Sequence, residues 1–375
     1  MSKISSSFLL HFFQNRSLNT VSTSTLPLPS VSTIQFLTNS CGLSSGSPTS
    51  AGRKLQFDEK NTQQYGAVID FLKSHGFENT QIANLVSRRP SILQSKVSKN
   101  LKPRFEFLQE IGLVGPLLPK FILSTPWVLG SSLDSQLKPS FFFIKEILES
   151  DEQVTAAICR YPSLLVCDLK GNLKSNIDIL ASEGVPSRNI ARMIAWKPRT
   201  ITRKVDIMIN AVKAVKELGI EPKARMFAYA VFVRLSMSDS TWKKKVTVMK
   251  SLGWSEKEIF TAFKKDPNYL GCSEKKMRDV ADFCFNTAKL DPGTVISYPV
   301  FFKYSVDKRL RPRYKVLEVL KVKNLLKNKK IALAWWFTQG EREFVQNNVV
   351  KHLDEIPNLM DIYRGNDASE TKSVS

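Results

Sequence analysis

Lysine and arginine side chains recur at fixed positions along this chain, and cations in such an arrangement suit phosphate binding. Lys102, Lys138 and Lys174 are each 36 residues apart, and Arg311 stands in the same Leu-(Lys/Arg) context further along. An ammonium or guanidinium group contacts nucleic-acid phosphates through charge and hydrogen bonds. Each of these cations precedes an expected helix start, where free backbone N–H groups also attract anions. The spacing therefore predicts a row of phosphate contacts.

A second group of cations flanks a set of regularly spaced prolines. This group comprises Arg88, Arg89, Arg160, Lys197, Arg199 and Lys265. Arg313 belongs to a dense basic cluster with Arg311 and completes the candidate nucleic-acid-binding residues. Any one of these residues is ordinarily an exposed cation on a solvated surface. Only their recurrence as a group favours phosphate contact, which supplies affinity and salt dependence but reads no base sequence.

The overall charge points to the same class of partner. The chain carries a formal net charge of +21 and has a pI near 9.7. Residues 1–57 contain four basic residues and no acidic one, so most of the excess lies in the remainder. An excess of this size favours a polyanion, either a nucleic acid or an anionic membrane surface. A soluble protein that is merely basic is the alternative.

The elements that must position these cations repeat with one period. Four prolines are spaced 36 residues apart, at Pro90, Pro126, Pro162 and Pro198. Glycines mark another position of the same repeat, at Gly76, Gly112 and Gly184, and are missing only at Leu148. A fixed period of this length predicts a solenoid, in which each unit buries its apolar face against its neighbours. Such a chain presents one long surface rather than one pocket.

Each repeat is expected to contain two helices and a short third one. Glycine followed by an apolar residue ends the first helix in a left-handed cap, and the periodic proline ends the second. We predict an all-α array of about seven to eight three-helix repeats over residues 58–363, followed by a disordered polar tail at 364–375. Arg234 stands where the next proline of the period would fall.

The first 57 residues are expected to be a disordered organelle transit peptide. They are rich in serine and threonine, lack acidic residues and begin with an apolar, weakly basic stretch, as import sequences do. The composition favours the mitochondrion, with the chloroplast as the alternative. The five cysteines form no C-x-x-C pair, so we expect buried thiols rather than a disulfide frame or a zinc site.

The repeated motifs resemble those of the mitochondrial transcription termination factor (mTERF) family. The chain shows Phe71-Leu72 before Gly76-Phe77, Ile82 and Leu85 before Pro90-Ser91-Ile92-Leu93, and Leu101-Lys102-Pro103 before Phe107-Leu108. The resemblance extends over nearly all of the chain after the presequence and is closest to the plant branch. It implies a left-handed, all-helical superhelix whose basic concave side holds nucleic acid, often double-stranded DNA. The chain departs from the family pattern at Leu148, Ser175 and Arg234, where we expect distorted repeats.

The leading hypothesis is a monomeric protein that binds double-stranded DNA and regulates or terminates organelle transcription. An RNA-binding role in intron splicing or ribosomal RNA maturation, and a protein scaffold, are the alternatives. No enzyme is predicted, because the chain lacks paired histidines at metal spacing and glycine-rich phosphate loops, and no cofactor or membrane span is expected. We expect Trp127, Trp196 and Tyr161 to pack between repeats rather than to stack on bases.

Overall fold

Every regular element in the described part of the chain is a helix. The computed structural model describes residues 31–43, 61–326 and 333–366, and no strand occurs among them. The described residues belong to two compact units, one within residues 1–130 and the other within 131–375. The prediction of an all-helical repeat array is therefore confirmed.

The first unit contains one isolated helix and two helical pairs. Its helices are α1 Val31–Asn39, α2 Thr62–Ser74, α3 Asn79–Arg88, α4 Lys102–Glu110 and α5 Leu117–Ser124. The second unit continues the same alternation. Its helices are α6 Lys138–Leu148, α7 Asp151–Arg160, α8 Lys174–Ser182, α9 Ser187–Trp196, α10 Val205–Glu217, α11 Phe227–Leu235, α12 Asp239–Ser251, α13 Glu256–Lys265, α14 Glu274–Asp282, α15 Pro292–Ser297, α16 Arg311–Val322, α17 Leu333–Thr338, α18 Glu341–Asn348 and α19 Leu359–Arg364.

The periodic prolines begin short 3₁₀ helices. These are Pro90–Gln94, Pro126–Gly130, Pro162–Leu165, Pro198–Thr200, Pro267–Gly271 and Pro299–Lys303. Proline suits the first position of such a helix because its missing N–H would have no partner there. Behind five of these six prolines a buried apolar pair, such as Ile92 and Leu93, anchors the 3₁₀ helix in the core; Pro198 is followed instead by exposed Arg199 and buried Thr200. The predicted short third helix therefore starts at the proline itself.

The first helix of each repeat ends at a left-handed residue, as the glycine pattern predicts. Gly112 has φ 89°, and the next residue, Leu113, donates its N–H to the Leu108 carbonyl over 3.0 Å, which is the Schellman arrangement. Between residues 61 and 326, eight such helix ends occur, 34 to 37 positions apart. They lie at Gly76, Gly112, Glu149, Gly184, Gly219, Gly253, Lys289 and Asn324. Their number agrees with the predicted seven to eight repeats.

The Leu-(Lys/Arg) motifs do not mark helix starts. A π-helical turn, for example Leu133–Leu137, runs directly into the following α-helix at Lys138. The N–H of Lys138 is accordingly bonded to the Leu133 carbonyl. The true start lies one turn earlier, where the Ser132 hydroxyl accepts a 3.2 Å bond from the Ser135 N–H. The prediction of free N–H groups beside these cations is wrong for this reason.

Polar side chains join successive repeats by capping the ends of the 3₁₀ helices. Gln136 Nε2 donates to the Val166 carbonyl over 2.8 Å, and Asn176 Nδ2 donates to the carbonyls of Ile201 and Arg203 over 2.8 and 2.7 Å. Carbonyls at a helix end lack intrahelical partners and need such donors. These side chains therefore fix the separation of neighbouring repeats.

The fifth repeat is irregular, as its missing proline predicts. Helix α11 ends at Leu235, and helix α12 begins at Asp239. Neither a 3₁₀ helix nor a π turn separates them. Arg234, in place of the proline, donates to the Met237 carbonyl over 3.5 Å and contacts the Asp239 carboxylate. The fifth repeat therefore lacks the buried 3₁₀ helix that the other periodic prolines begin.

Helix α1 lies within the predicted presequence. Its Leu37 is fully buried, and the Phe36 ring lies 5.9 Å from that of Tyr65 in α2. Residues 31–43 are thus ordered, so the expected disorder does not hold for them. The rest of the predicted presequence lies outside the described residues, and its boundary at residue 57 stays a prediction. Helix α19 ends at Arg364, and residues 367–375 of the predicted tail lie outside the described residues.

Candidate nucleic-acid interface

The cations of the Leu-(Lys/Arg) motifs are exposed, but each is paired with a carboxylate one helical turn away. The N–O distances are 3.9 Å for Lys102–Glu106, 2.9 Å for Lys138–Asp134, 2.7 Å for Lys174–Asp178 and 3.5 Å for Arg311–Asp307. Exposed pairs of this kind contribute little stability. The carboxylates do lower the local positive potential, so these four cations attract phosphates less strongly than their spacing predicts.

Three arginines near the prolines are engaged by protein carbonyls. Arg88 donates to the Leu123 carbonyl, and the equivalent Arg160 donates to the Ala195 carbonyl over 2.5 Å. Each bond links the second helices of successive repeats. Arg89 donates to the Pro126 carbonyl over 3.0 Å, and burial together with nearby Arg104 lowers its pKa. These side chains hold repeats together, although Arg88 and Arg160 keep exposed surface.

Arg313 is a structural residue, and its prediction as a nucleic-acid contact is wrong. Its side chain is 0% exposed. One guanidinium nitrogen donates to the carbonyls of Trp336, Phe337 and Gln339 over 2.8 to 3.2 Å, and another pairs with Glu341 at 2.8 Å. The guanidinium thereby caps the end of α17 and cannot reach a ligand.

Lys197, Arg199 and Lys265 remain the available cations of the predicted set. All three are exposed, and none forms an ion pair within the described part of the chain. The Lys197 ammonium lies 4.9 Å from the centroid of the Phe232 ring. Cations without a carboxylate partner keep their full charge for an anion, so these three are the members of the set best suited to attract one.

Two of the aromatic residues beside the prolines are exposed, which contradicts the expectation that they pack between repeats. Trp127 is 66% exposed and Trp196 is 58% exposed. Tyr161 is half-buried, in closer agreement with a packing role. Trp127 lies beneath the Arg89 guanidinium at 5.4 Å. A large exposed ring costs solvation free energy and offers a stacking surface to a base.

An aromatic cleft lies around three rings in the second unit. Trp196, Tyr229 and Tyr298 line it together with Arg225, Lys265 and Lys303, and its volume is about 360 Å³. The rings of Trp196 and Tyr229 meet nearly at right angles, with centroids 5.6 Å apart. Lys303 pairs with Asp266 at 2.7 Å, which leaves Lys265 and Arg225 as the cations of this cleft that lack an ion-pair partner among the described residues.

An arginine cleft lies beside it at the irregular repeat. Arg199, Arg203 and Arg234 line a space of about 680 Å³. Phe232 lines this cleft and also a narrow cavity, which shares Trp196 and Tyr229 with the aromatic cleft. We call the two clefts, together with Lys197 between them, the proline-end surface. It combines cations for phosphates with rings for bases, which is the composition of single-strand and groove-binding surfaces.

Several residues of the proline-end surface escaped the sequence analysis. Arg225 and Tyr229 lie in the repeat that lacks its proline, and Lys303 ends the 3₁₀ helix Pro299–Lys303, so none of the three shares a repeat phase with the predicted cations. Tyr298-Pro299 does repeat the Tyr161-Pro162 pair, and this pattern could have identified the Tyr298 ring. The exposure of Trp196 had no signal in the sequence.

Two of the five cysteines, Cys41 and Cys284, are buried. Burial raises the pKa of Cys41 and of Cys284 to about 12, which keeps these thiols protonated and unreactive. No group of three or more metal-ligating side chains occurs among residues 31–43, 61–326 and 333–366. None of the helices in those ranges has the length and apolar character needed to cross a membrane.

The sequence is similar to those of known proteins. The family model for mTERF matches residues 69–228 and 224–345. Transcription termination factor MTERF8, chloroplastic, from Arabidopsis thaliana is 19% identical over 277 residues. That match covers 74% of this chain and 54% of the relative, so the chain spans about half of the relative's length. With the family model matching most of its repeats, the chain belongs to the mTERF family.

Proposed function

We propose that this protein binds double-stranded DNA in an organelle and regulates or terminates transcription there. Membership of the mTERF family supports a nucleic-acid-binding role in organelle gene expression. The observation that carries the proposal is the proline-end surface, where Lys197, Arg199 and Lys265 are exposed without a carboxylate partner among the described residues. These cations supply the electrostatic attraction to phosphates on which nucleic-acid affinity depends.

The proposed mechanism is positional rather than catalytic. Phosphate contacts fix the register of the protein on the nucleic acid, whereas base edges and DNA shape provide specificity. A protein held in this way on a template can block or pause a polymerase without any chemical step. The printed name of the Arabidopsis relative includes transcription termination, which supports the termination form of this proposal.

A filter-binding titration over salt concentration tests the nucleic-acid proposal. We expect the logarithm of the association constant to fall linearly with the logarithm of salt concentration. The slope should be about −0.9 for each duplex phosphate that the protein neutralises. With several phosphates engaged, raising the salt concentration fourfold should weaken binding by more than about tenfold. An affinity independent of salt would contradict the proposal.

Structured RNA is a second candidate partner, and the exposed rings favour it. Trp196 and Tyr298 expose 58% and 43% of their surface beside Lys265 in the aromatic cleft. Such rings stack readily on unpaired bases, which occur in RNA loops more than in duplex DNA. Duplex DNA and structured RNA are therefore compared in the same titration. If Trp196→Ala weakens RNA binding and leaves duplex binding unchanged, RNA becomes the preferred assignment.

The organelle also belongs to the proposal. The composition of residues 1–57 favours the mitochondrion with the chloroplast as the alternative, and the Arabidopsis relative is described as chloroplastic. The chloroplast alternative therefore gains weight. A fluorescent protein fused behind residues 1–57 and expressed in leaf cells distinguishes the two organelles, and a diffuse cytosolic signal would contradict both.

A further inference from the structure

The arginine cleft exists because the fifth repeat lacks its 3₁₀ helix. In other repeats this helix fills the space behind the second helix with buried apolar side chains such as Leu164 and Leu165. Between Leu235 and Asp239 the chain passes directly from one α-helix to the next. The space left behind measures about 680 Å³, which is within the range of small-molecule sites.

The cleft is built around guanidinium groups, and one of them is held rigidly. Arg234 contacts the Asp239 carboxylate, donates to the Met237 carbonyl and lies 5.6 Å from the Trp242 ring centroid. A side chain held by three contacts loses little further entropy when a ligand binds. Arg234 is therefore positioned in advance on one wall.

The other two arginines keep guanidinium N–H donors available for a ligand. Arg203 is anchored through its backbone carbonyl, which accepts a 2.7 Å bond from Asn176. Its Nε atom is buried and has no hydrogen-bond partner within the described part of the chain. A buried donor without a partner costs free energy unless a ligand or water satisfies it. Arg199 is exposed, and its guanidinium has no ion-pair partner among the described residues.

The charge of the lining suits a dianion. Three arginines and one carboxylate, that of Asp239, line the cleft, for a formal charge of +2. A phosphomonoester carries a charge of about −1.5 to −2 at pH 7, whereas each backbone phosphodiester carries a single negative charge. Guanidinium groups also match phosphate oxygens with paired hydrogen bonds. The exposed Asn210 amide on the same wall can bond an attached sugar.

We propose that the arginine cleft binds a phosphomonoester, with Arg199, Arg203 and Arg234 as its phosphate ligands. Two sources carry this group: a free nucleoside monophosphate and the terminal phosphate of a nucleic-acid strand. The first needs no nucleic-acid function at all. The second would let the protein distinguish a phosphorylated strand end from the interior of a strand, which goes beyond the proposed function.

The test has two arms, both using the full chain. In the first, isothermal titration calorimetry measures AMP binding. In the second, fluorescence polarisation compares strands of one sequence that carry a 5′-phosphate, a 3′-phosphate or neither. We expect at least one arm to show saturable, phosphate-dependent binding. Free AMP binding alone assigns a mononucleotide ligand, and a preference of about tenfold for one phosphorylated end, equal to about 1.4 kcal/mol, assigns a strand end.

Variants test whether the arginine cleft causes the phosphate-dependent binding. Arg199→Glu and Arg203→Gln should each weaken the phosphate-dependent signal by about tenfold or more, as removal of a charge-assisted bond predicts. Lys213→Glu, on exposed surface of α10 outside the cleft, makes the same charge change as Arg199→Glu and should leave the signal intact. Unchanged melting temperatures show that the variants fold.

Two results would overturn the proposal. The first is no AMP binding combined with equal affinity for all three strands. The second is an equal reduction of the signal in Lys213→Glu and Arg199→Glu, which would show a general charge effect. A salt-independent affinity for every strand would instead defeat the proposed nucleic-acid function, and it would leave the AMP arm standing.

Discussion

At the scale of single residues, the same side-chain types perform three different tasks in this protein. Arg313 is buried and caps a helix, Lys138 forms an exposed ion pair, and Arg199 is exposed without an acidic partner among the described residues. Sequence spacing could not separate these tasks. Arg311 and Arg313 are only two positions apart, yet they point to opposite sides of α16, one toward solvent and one into the core.

Replacing Arg313 should damage stability rather than binding. Arg313→Ala leaves the carbonyls of Trp336, Phe337 and Gln339 without their buried donor and removes the partner of Glu341. Unpaired buried groups of this kind cost several kcal/mol in sum, so we expect the free energy of unfolding to fall by about 3 kcal/mol or more. Urea denaturation followed by circular dichroism measures this change.

Arg311→Ala is the matched control, because Arg311 is exposed, pairs with Asp307 at 3.5 Å and lies 5.7 Å from the Phe283 ring centroid. Its effect on the free energy of unfolding should stay below about 1 kcal/mol. If the two variants were equally stable, the assignment of Arg313 as a helix cap would be wrong.

At the scale of elements, helix ends were the most predictable feature. Between residues 61 and 326, glycine followed by an apolar residue ends five of the eight first helices, and Gly253 shows the resulting geometry with φ 91°. The ends at Glu149 and Lys289 adopt the same backbone conformation without a glycine, because the packing of the repeat imposes it. The π turns were not predicted, because the Leu-(Lys/Arg) motifs at which four of them end suggest ordinary helix starts.

A pair of opposite substitutions tests this account of the helix ends. At Gly253 an added Cβ would meet no atom within 4 Å, so Gly253→Ala should cost about 1 kcal/mol through backbone conformation alone. Glu149→Gly removes the same conformational cost at φ 58° and should stabilise the protein by about 0.5 kcal/mol. Melting temperatures that fall for the first variant and rise for the second confirm the account; a fall in both would contradict it.

Ser255 and Glu258 form a capping box at the start of α13, which should make stability depend on pH. The Ser255 hydroxyl and backbone N–H both donate to the Glu258 carboxylate, at 2.7 and 2.8 Å, and these bonds lower the pKa of Glu258. Because the pKa is lower in the folded state, the ionised carboxylate stabilises the protein at pH values above the unfolded pKa of about 4.3. This stabilisation is lost as the pH falls through the pKa of the folded state.

The destabilisation caused by Ser255→Ala should therefore be larger at neutral pH than near about pH 2. Chemical denaturation of the wild type and the variant at both pH values measures it. In a Glu258→Gln background the glutamine does not titrate, so the effect of Ser255→Ala should be the same at both pH values. If the effect of Ser255→Ala still depended on pH in that background, the pH dependence would belong to a group other than Glu258.

At the scale of the whole molecule, the period of the sequence predicted the repeat class and the number of repeats. It did not predict which surface is available to a ligand. Availability depends on partners that the period does not encode, such as the acid one turn from each of Lys138, Lys174 and Arg311. The arginine cleft opens where the period fails, at Arg234.

Two triple variants, confined to the second unit, compare these surfaces directly. The first reverses the charge of Lys197, Arg199 and Lys265, and the second reverses Lys138, Lys174 and Arg311. Both change the net charge by the same amount, so general electrostatic attraction falls equally. We expect the first to weaken duplex DNA binding by at least about tenfold more than the second, because it removes direct phosphate contacts at the proline-end surface.

The salt dependence separates direct binding from attraction at a distance. The first triple variant should lower the slope of log affinity against log salt by about 0.9 for each phosphate that it no longer neutralises. In the second variant the slope should change less, because its residues already have acidic partners on their own helices or the turns that precede them. Equal reductions of affinity and slope in the two variants would mean that total charge attracts the nucleic acid, and the proline-end surface would have no special role.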